Sequence, residues 1–158
     1  MKEKTCCFSG QRKIPSESLP DIYRKLKETL IFYIDQGYRY FGAGGALGFD
    51  TLAAQTVLLL KQCYPEIKLI LVLPCKDQAS RWTVEDLKEY ERIKALADKV
   101  VYTAEHYYDG CMHKRNRHLV DNSSLCICYL TQSGGGTAYT VNYANAQGLT
   151  IVNLHNLI

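Results

Sequence analysis

Apolar residues fall into short dense runs separated by longer stretches where they recur every third or fourth position, and most dense runs end in glycine or proline. Thr5-Cys6-Cys7-Phe8-Ser9 reads as a first strand, followed by the turn Gly10-Gln11-Arg12-Lys13-Ile14-Pro15 with its two cations. Ser16 or Ser18 can cap the next helix, whose Leu19, Ile22, Leu26, Leu30 and Ile34 repeat at helical spacing until Gly37 stops it. Tyr38 to Phe41 forms a second strand and runs into the glycine-rich loop Gly42 to Asp50. Asp50 stands where it could cap a helix through Leu52, Ala53, Val57, Leu58 and Leu60. Ile67 to Leu73, closed by Pro74, is the clearest strand, and its near-continuous apolar character implies burial on both faces of a parallel sheet.

After the polar loop Cys75 to Trp82, Thr83 can cap a helix whose buried face is Leu87, Tyr90, Ile93 and Leu96. Lys99 to Tyr102 gives a brief fourth strand, Thr103 to Cys111 is aromatic and irregular, and Met112 to Asp121 reads as a short helix with a basic face. Leu125 to Leu130 is again a strand, breaking at Thr131 to Thr137; Ala138, Val141, Ala144 and Asn145 then mark a helix, and Leu149 to Leu154 the last strand. This alternation, without repeat or linker, predicts one domain over 1–158. The expected class is α/β: a single doubly wound, mostly parallel Rossmann-like sheet with helices on both faces and right-handed crossovers.

In such a sheet, ligands bind beyond the carboxyl ends of the strands. The loops Ser9 to Arg12, Gly42 to Asp50, Pro74 to Trp82, Tyr102 to Asn116 and Thr131 to Thr137 all follow strand ends, so they converge on one edge. Ser133, Gly134, Gly135, Gly136 and Thr137 offer backbone N–H groups at a helix start, suited to a phosphate, and Gly44, Gly45 and Ala46 form a second candidate phosphate loop. Neither loop has the lysine of a Walker A motif or the GxGxxG spacing. Ser9, Gly10 and Arg12 close the first strand; Arg12 and Arg115 are candidate phosphate partners, Asn116 a ribose or phosphate partner, and Asp50 a ribose contact or loop brace. Pro74, Lys76, Arg81 and Trp82 complete the expected edge, the indole either covering a base or packing its loop onto the next helix. Cys75, beside Lys76, is the cysteine placed for a lowered pKa, with packing as its default role.

Composition narrows the partners. In 158 residues, 19 basic groups against 16 acidic ones leave too little positive charge for a dedicated nucleic-acid binder, so a small anion fits better. The seven cysteines are odd in number, two of them within a buried strand, and no charged-then-apolar leader precedes them; reduced thiols in a cytoplasmic protein are expected. No apolar run is long enough for a bilayer. His106, Cys111, His113 and His118 match no zinc spacing, so no metal and no required cofactor are expected. The last helix, rich in small residues and tyrosine, could pair with a second copy.

Three blocks carry a resemblance: Gly44-Gly45-Ala46-Leu47-Gly48-Phe49-Asp50, Arg115 to Asp121, and Gly134-Gly135-Gly136-Thr137-Ala138-Tyr139-Thr140-Val141. Together they resemble the YpsA-like proteins of the SLOG superfamily, the Rossmann-like group that includes DprA and the LOG-type phosphoribohydrolases. The resemblance implies a pocket for a nucleotide or nucleotide-derived ligand, ADP-ribose-like among the options, in a sensor or regulator. It also implies two alternatives, an N-glycosidic or phosphoribosyl hydrolase and, more weakly, DprA-like binding of single-stranded DNA. Against the PGGxGTxxE pattern of LOG-type hydrolases, Gly134, Gly136 and Thr137 match, but Thr140 stands in place of the glutamate. Whether the chain is an enzyme is therefore open.

Overall fold

In the computed structural model, which describes residues 1–158, strands and helices alternate: β1 (Thr5–Gly10), α1 (Leu19–Asp35), β2 (Tyr40–Ala43), α2 (Phe49–Lys61), β3 (Lys68–Leu73), α3 (Val84–Leu96), β4 (Lys99–Tyr102), α4 (Cys111–Asp121), β5 (Leu125–Tyr129), α5 (Gly136–Ala146) and β6 (Thr150–Asn153). The six strands form one parallel sheet in the order β4-β3-β2-β1-β5-β6. The expected α/β Rossmann-like sheet is present. No helix is long and apolar enough to cross a membrane.

Alternation along β1 divides the core into two layers. Cys6 and Phe8 point into a large cluster with Ile22, Leu26 and Leu30 of α1 and Ala53 and Val57 of α2, joined by Leu125 and Ile127 of β5. Cys7 points the other way, with Cys126 and Cys128, against Leu119 and Val120 of α4 and Ala144 of α5. Six of the seven cysteines are buried, free thiols, and only Cys63 is exposed.

Two boundaries differ from the sequence pattern. The second strand begins at Tyr40, because the Tyr38 N–H closes a turn onto the Tyr33 carbonyl (3.1 Å) and its hydroxyl bonds Ser124 (2.8 Å). In α3 only Tyr90 and Ile93 of the four expected positions are buried, while Leu87 and Leu96 are 39% and 52% exposed. This helix follows β3 and leads to the edge strand β4, where only a narrow stripe finds partners. Thr83 caps it as expected, its hydroxyl accepting from the Asp86 N–H at 3.2 Å.

Ile127, fully buried on β5, gauges the core: Ile127→Ala should lower stability by about 2–5 kcal/mol in urea unfolding followed by circular dichroism.

Candidate functional site

The chain leaves β1 towards β2, β3 and β4, then returns through α4 to β5 on the other side of β1. Loops following β1 and β5 therefore diverge, as at any topological switch point. Between them lies a cleft of about 510 Å³. Ser9, Gly10 and Arg12 form its floor and rim after β1; Ala46 and Asp50 enter from α2 and the loop before it. Arg115 and Asn116 come from α4, and Gly134, Gly135, Gly136 and Thr137 form the wall after β5.

The other sequence candidates lie elsewhere. Ser133 is exposed on the β5–α5 loop, outside the lining. Pro74 is buried, and Arg81 is exposed. Lys76 is held by the neighbouring loop, its N–H donating to the Glu105 carbonyl (3.0 Å) and its ammonium pairing with the Glu105 carboxylate (3.0 Å). Trp82 packs edge-on against Tyr90 of α3, ring centroids 5.0 Å apart. Cys75 is buried beside Asp77, and desolvation pushes its thiol up to about 11, opposite to the direction a reactive cysteine needs.

Two glycine loops that look alike in sequence do different work. A Cβ on Gly44 would lie 2.7 Å from Arg115 Nη1 and 2.8 Å from Asp50 Oδ2, and one on Gly45 would lie 2.4 Å from Leu73. Gly48, at φ +81°, would drive a Cβ to 2.2 Å from the Arg12 carbonyl oxygen. It is Gly48, not Asp50, that occupies the N-cap of α2. In the second loop, nothing of the chain lies within 4 Å of a Cβ on Gly134 or Gly136, and only Gly135, the α5 N-cap at φ +95°, has a conformational reason to be glycine.

Asp50 and Arg115 form the buried electrostatic centre. Arg115 is 3% exposed; its Nη1 donates to the Gly44 carbonyl, its Nε to Asn116 Oδ1 (2.7 Å), and Nη2 faces Met112 Sδ (3.8 Å). This guanidinium braces the β2–α2 loop from α4. Asp50 Oδ2 accepts the Ala46 N–H at 3.3 Å, and burial raises its pKa, with Arg115, that hydrogen bond and Arg12 each opposing the rise. Burial likewise lowers the Arg115 pKa, with Asp50 as the largest opposing influence. Asp50 is the only carboxylate lining the cleft. Arg12 and Lys13 are exposed at its rim and enter none of the chain's ion pairs.

Gln11, Lys13, Met112, His113 and Gln132 also line the cleft, without having been singled out by any motif. His113 is the most informative: its ring packs on Tyr139 at 4.1 Å, and its Nδ1 is buried without a partner. The helices α1, α2 and α3 each carry an acidic residue in the first turn, whereas α4 and α5, whose first turns open on the cleft, carry none. Tyr139 and Tyr143 of α5 are engaged by α4, through Arg117 (3.0 Å) and Asp121 (2.7 Å). No group of three or more His, Cys, Asp or Glu side chains is arranged to hold a metal ion.

Comparison with known proteins places these features in context. Residues 13–153 match the family model YpsA, described as the YspA SLOG family. The uncharacterized SPbeta prophage-derived protein YoqJ of Bacillus subtilis is 30% identical, over 76% of this chain and 80% of its own length. Among solved structures, DNA processing protein A of Streptococcus pneumoniae superposes with a TM-score of 0.70 at 16% identity, covering 95% of this chain and 50% of that one. The Helicobacter pylori DNA processing protein A, whose structure is described for its single-stranded DNA binding mode, gives 0.68 at 16% identity, over 99% and 71%. At such identities the likeness to both structures is one of fold.

Gly48→Ala should destabilise by about 1–3 kcal/mol, because the residue must leave a positive φ and displace backbone, while Gly134→Ala should stay within about 0.5 kcal/mol; urea unfolding of both checks the difference. Asp50 supplies a pH signature. A carboxylate whose folded pKa lies above its unfolded value binds more protons when folded between those two values, so stability falls as pH rises through that window. Asp50→Asn should therefore melt above the wild type at pH 7 and lose that advantage below about pH 4, where both forms are neutral, as read by thermal unfolding at the two pH values.

Proposed function

The chain belongs to the YspA SLOG family, and we propose that its cleft binds the phosphate of a small nucleotide or nucleotide-derived ligand, in a sensor or regulator. The observation that carries this reading is the open space over Gly134 and Gly136. Neither packing nor a positive φ requires glycine there, yet the loop keeps its backbone bare at the first turn of α5. Bare N–H groups at the positive end of a helix are the surface a phosphate oxygen approaches most closely. Thr137 adds a hydroxyl at the same turn, the α4 first turn faces the same space without an acid of its own, and Arg12 and Lys13 supply exposed positive charge at the rim.

The hydrolase alternative would rest on Asp50. Thr140, where LOG-type enzymes carry glutamate, is 2% exposed and its hydroxyl donates to the Gly136 carbonyl at 2.9 Å, so it serves the helix rather than the cleft. Asp50 is the carboxylate left to activate water, and burial raises its pKa, which makes it a stronger base than an exposed aspartate. Binding of single-stranded DNA finds less support, because Arg12 and Lys13 are the free cations of the cleft and no aromatic ring lines it except Phe8 and His113.

AMP at about 100 times its dissociation constant should add roughly 2.7 kcal/mol, or about 5–10 °C in melting temperature. Gly134→Asp, which places a carboxylate in the phosphate position without straining the backbone, should melt like the wild type and lose the whole shift. An equal shift in this variant would refute the phosphate site. Chromatography of the same mixtures decides the reaction: intact AMP supports a binder, whereas free adenine with ribose 5-phosphate supports the hydrolase.

A further inference from the structure

A second depression, of about 600 Å³, lies on the other side of the β1–α1 loop, between the amino ends of α1, α2 and α3. Arg12 lines both this groove and the cleft. The segment from Ala46 to Thr51 is shared in the same way: Ala46 and Asp50 face the cleft, while Leu47, Gly48 and Thr51 face the groove. The two spaces are thus neighbours across one ridge, and Arg12 stands on that ridge with no ion-pair partner of its own.

Their chemistry is complementary. Leu19, Tyr23 and Leu52 give the groove half-open apolar surface, and Leu19 is 38% exposed. Its polar lining includes two acceptors, Asp86 and Gln55, whose amide nitrogen is committed to Glu89 and whose oxygen is left over, beside the hydroxyls of Tyr23 and Thr51, the latter donating to the Ala46 carbonyl (2.9 Å). Apart from Arg12 the groove holds no cation, and its one carboxylate, Asp86, would repel a phosphate there. A planar apolar ring with exocyclic amine donors suits it, since the ring covers the leucines and tyrosine while the amine reaches a carboxylate.

We propose that the cleft and the groove are two halves of one binding site for a nucleoside diphosphate, with the base in the groove, the diphosphate crossing the ridge at Arg12, and the terminal phosphate on the Gly134–Gly136 loop. This rests on the phosphate reading of the cleft and adds the base position, the polarity of the ligand and a second, bridging phosphate. Arg12 then serves both halves by neutralising the bridging phosphate where the ligand is most exposed.

Isothermal titration with inorganic pyrophosphate and with ADP separates the two readings. Pyrophosphate probes the cleft alone, and ADP adds the base. In the wild type, ADP should bind at least about tenfold more tightly than pyrophosphate, an advantage of about 1.4 kcal/mol. Tyr23→Ala and Leu19→Asp, both on the partly exposed first turns of α1, should each remove most of that advantage and leave pyrophosphate affinity within about twofold. The inference is overturned if pyrophosphate binds and ADP gains nothing over it, or if both folded variants retain the full ADP advantage. A wild type that binds neither probe would overturn the cleft reading and this inference together.

Discussion

The Phe49 N–H donates to the Gln11 carbonyl at 3.0 Å, and this one backbone bond ties the β1–α1 loop to the first turn of α2. It requires two glycines, one from each side. A Cβ on Gly10 would lie 2.3 Å from the Phe49 ring, and one on Gly48 would collide with the Arg12 carbonyl. Once the loops are locked, the rest of the carboxyl edge follows: Phe49 is buried against Phe8 and Tyr129, Asp50 is turned towards α4, and Arg12 is raised onto the ridge between two depressions. Removing either glycine would move the ridge, and with it both walls of the site.

The electrostatics of the edge depend on the same lock. Turning Asp50 inward buries a carboxylate, and the cost appears as its raised pKa. Arg115 offsets part of that cost while using its hydrogen bonds to hold Gly44, Asn116 and Met112 in place. A side chain so committed is a brace for the cleft wall, and Asp50 is the neighbour that most opposes the desolvation of its charge. The charge free to meet an incoming anion is that of Arg12 and Lys13, which the chain leaves exposed and unpaired. On the proposed reading, bracing the wall and meeting an anion thus fall to different cations within one small region.

Much of this was legible in the sequence. Strand and helix order followed from periodicity, because the two-sided burial of β3 and β5 and the single stripe of α1 leave distinct patterns. The convergence of loops on one edge followed from the order alone, and most of the cleft-lining residues after β1 and β5 were named from it. What the sequence did not separate was the meaning of its glycines: Gly44 and Gly134 each follow an apolar run, and only the atoms around them distinguish a glycine crowded by its own chain from one facing open space. Arg115 likewise reads as a phosphate ligand until its distance to Gly44 is known. His113 carried no motif, and its place opposite Tyr139 depends on how α4 and α5 pack. The outer position of α3 explains why Leu87 and Leu96 misled: helical spacing marks a possible face, and only the sheet's width decides how much of it is covered.

The arrangement of helix ends gives the edge its direction. Asp50 places negative charge in the first turn of α2, so a phosphate in the cleft would be drawn away from α2 and towards the first turns of α4 and α5, which carry no acid. On the far side of the ridge, Glu85 and Asp86 answer the dipole of α3 and leave Asp86 lining the groove. Negative charge on one flank and open N–H groups on the other set a gradient across Arg12, and the proposed ligand, with an anionic end and an amine-bearing planar end, would have one favourable orientation in it. Thr140, bonded to the Gly136 carbonyl, keeps the receiving end free of any carboxylate. On the proposed reading such an edge would hold a phosphate rather than attack the bond beside it, and any hydrolysis would have to draw on Asp50, the carboxylate that accepts the Ala46 N–H.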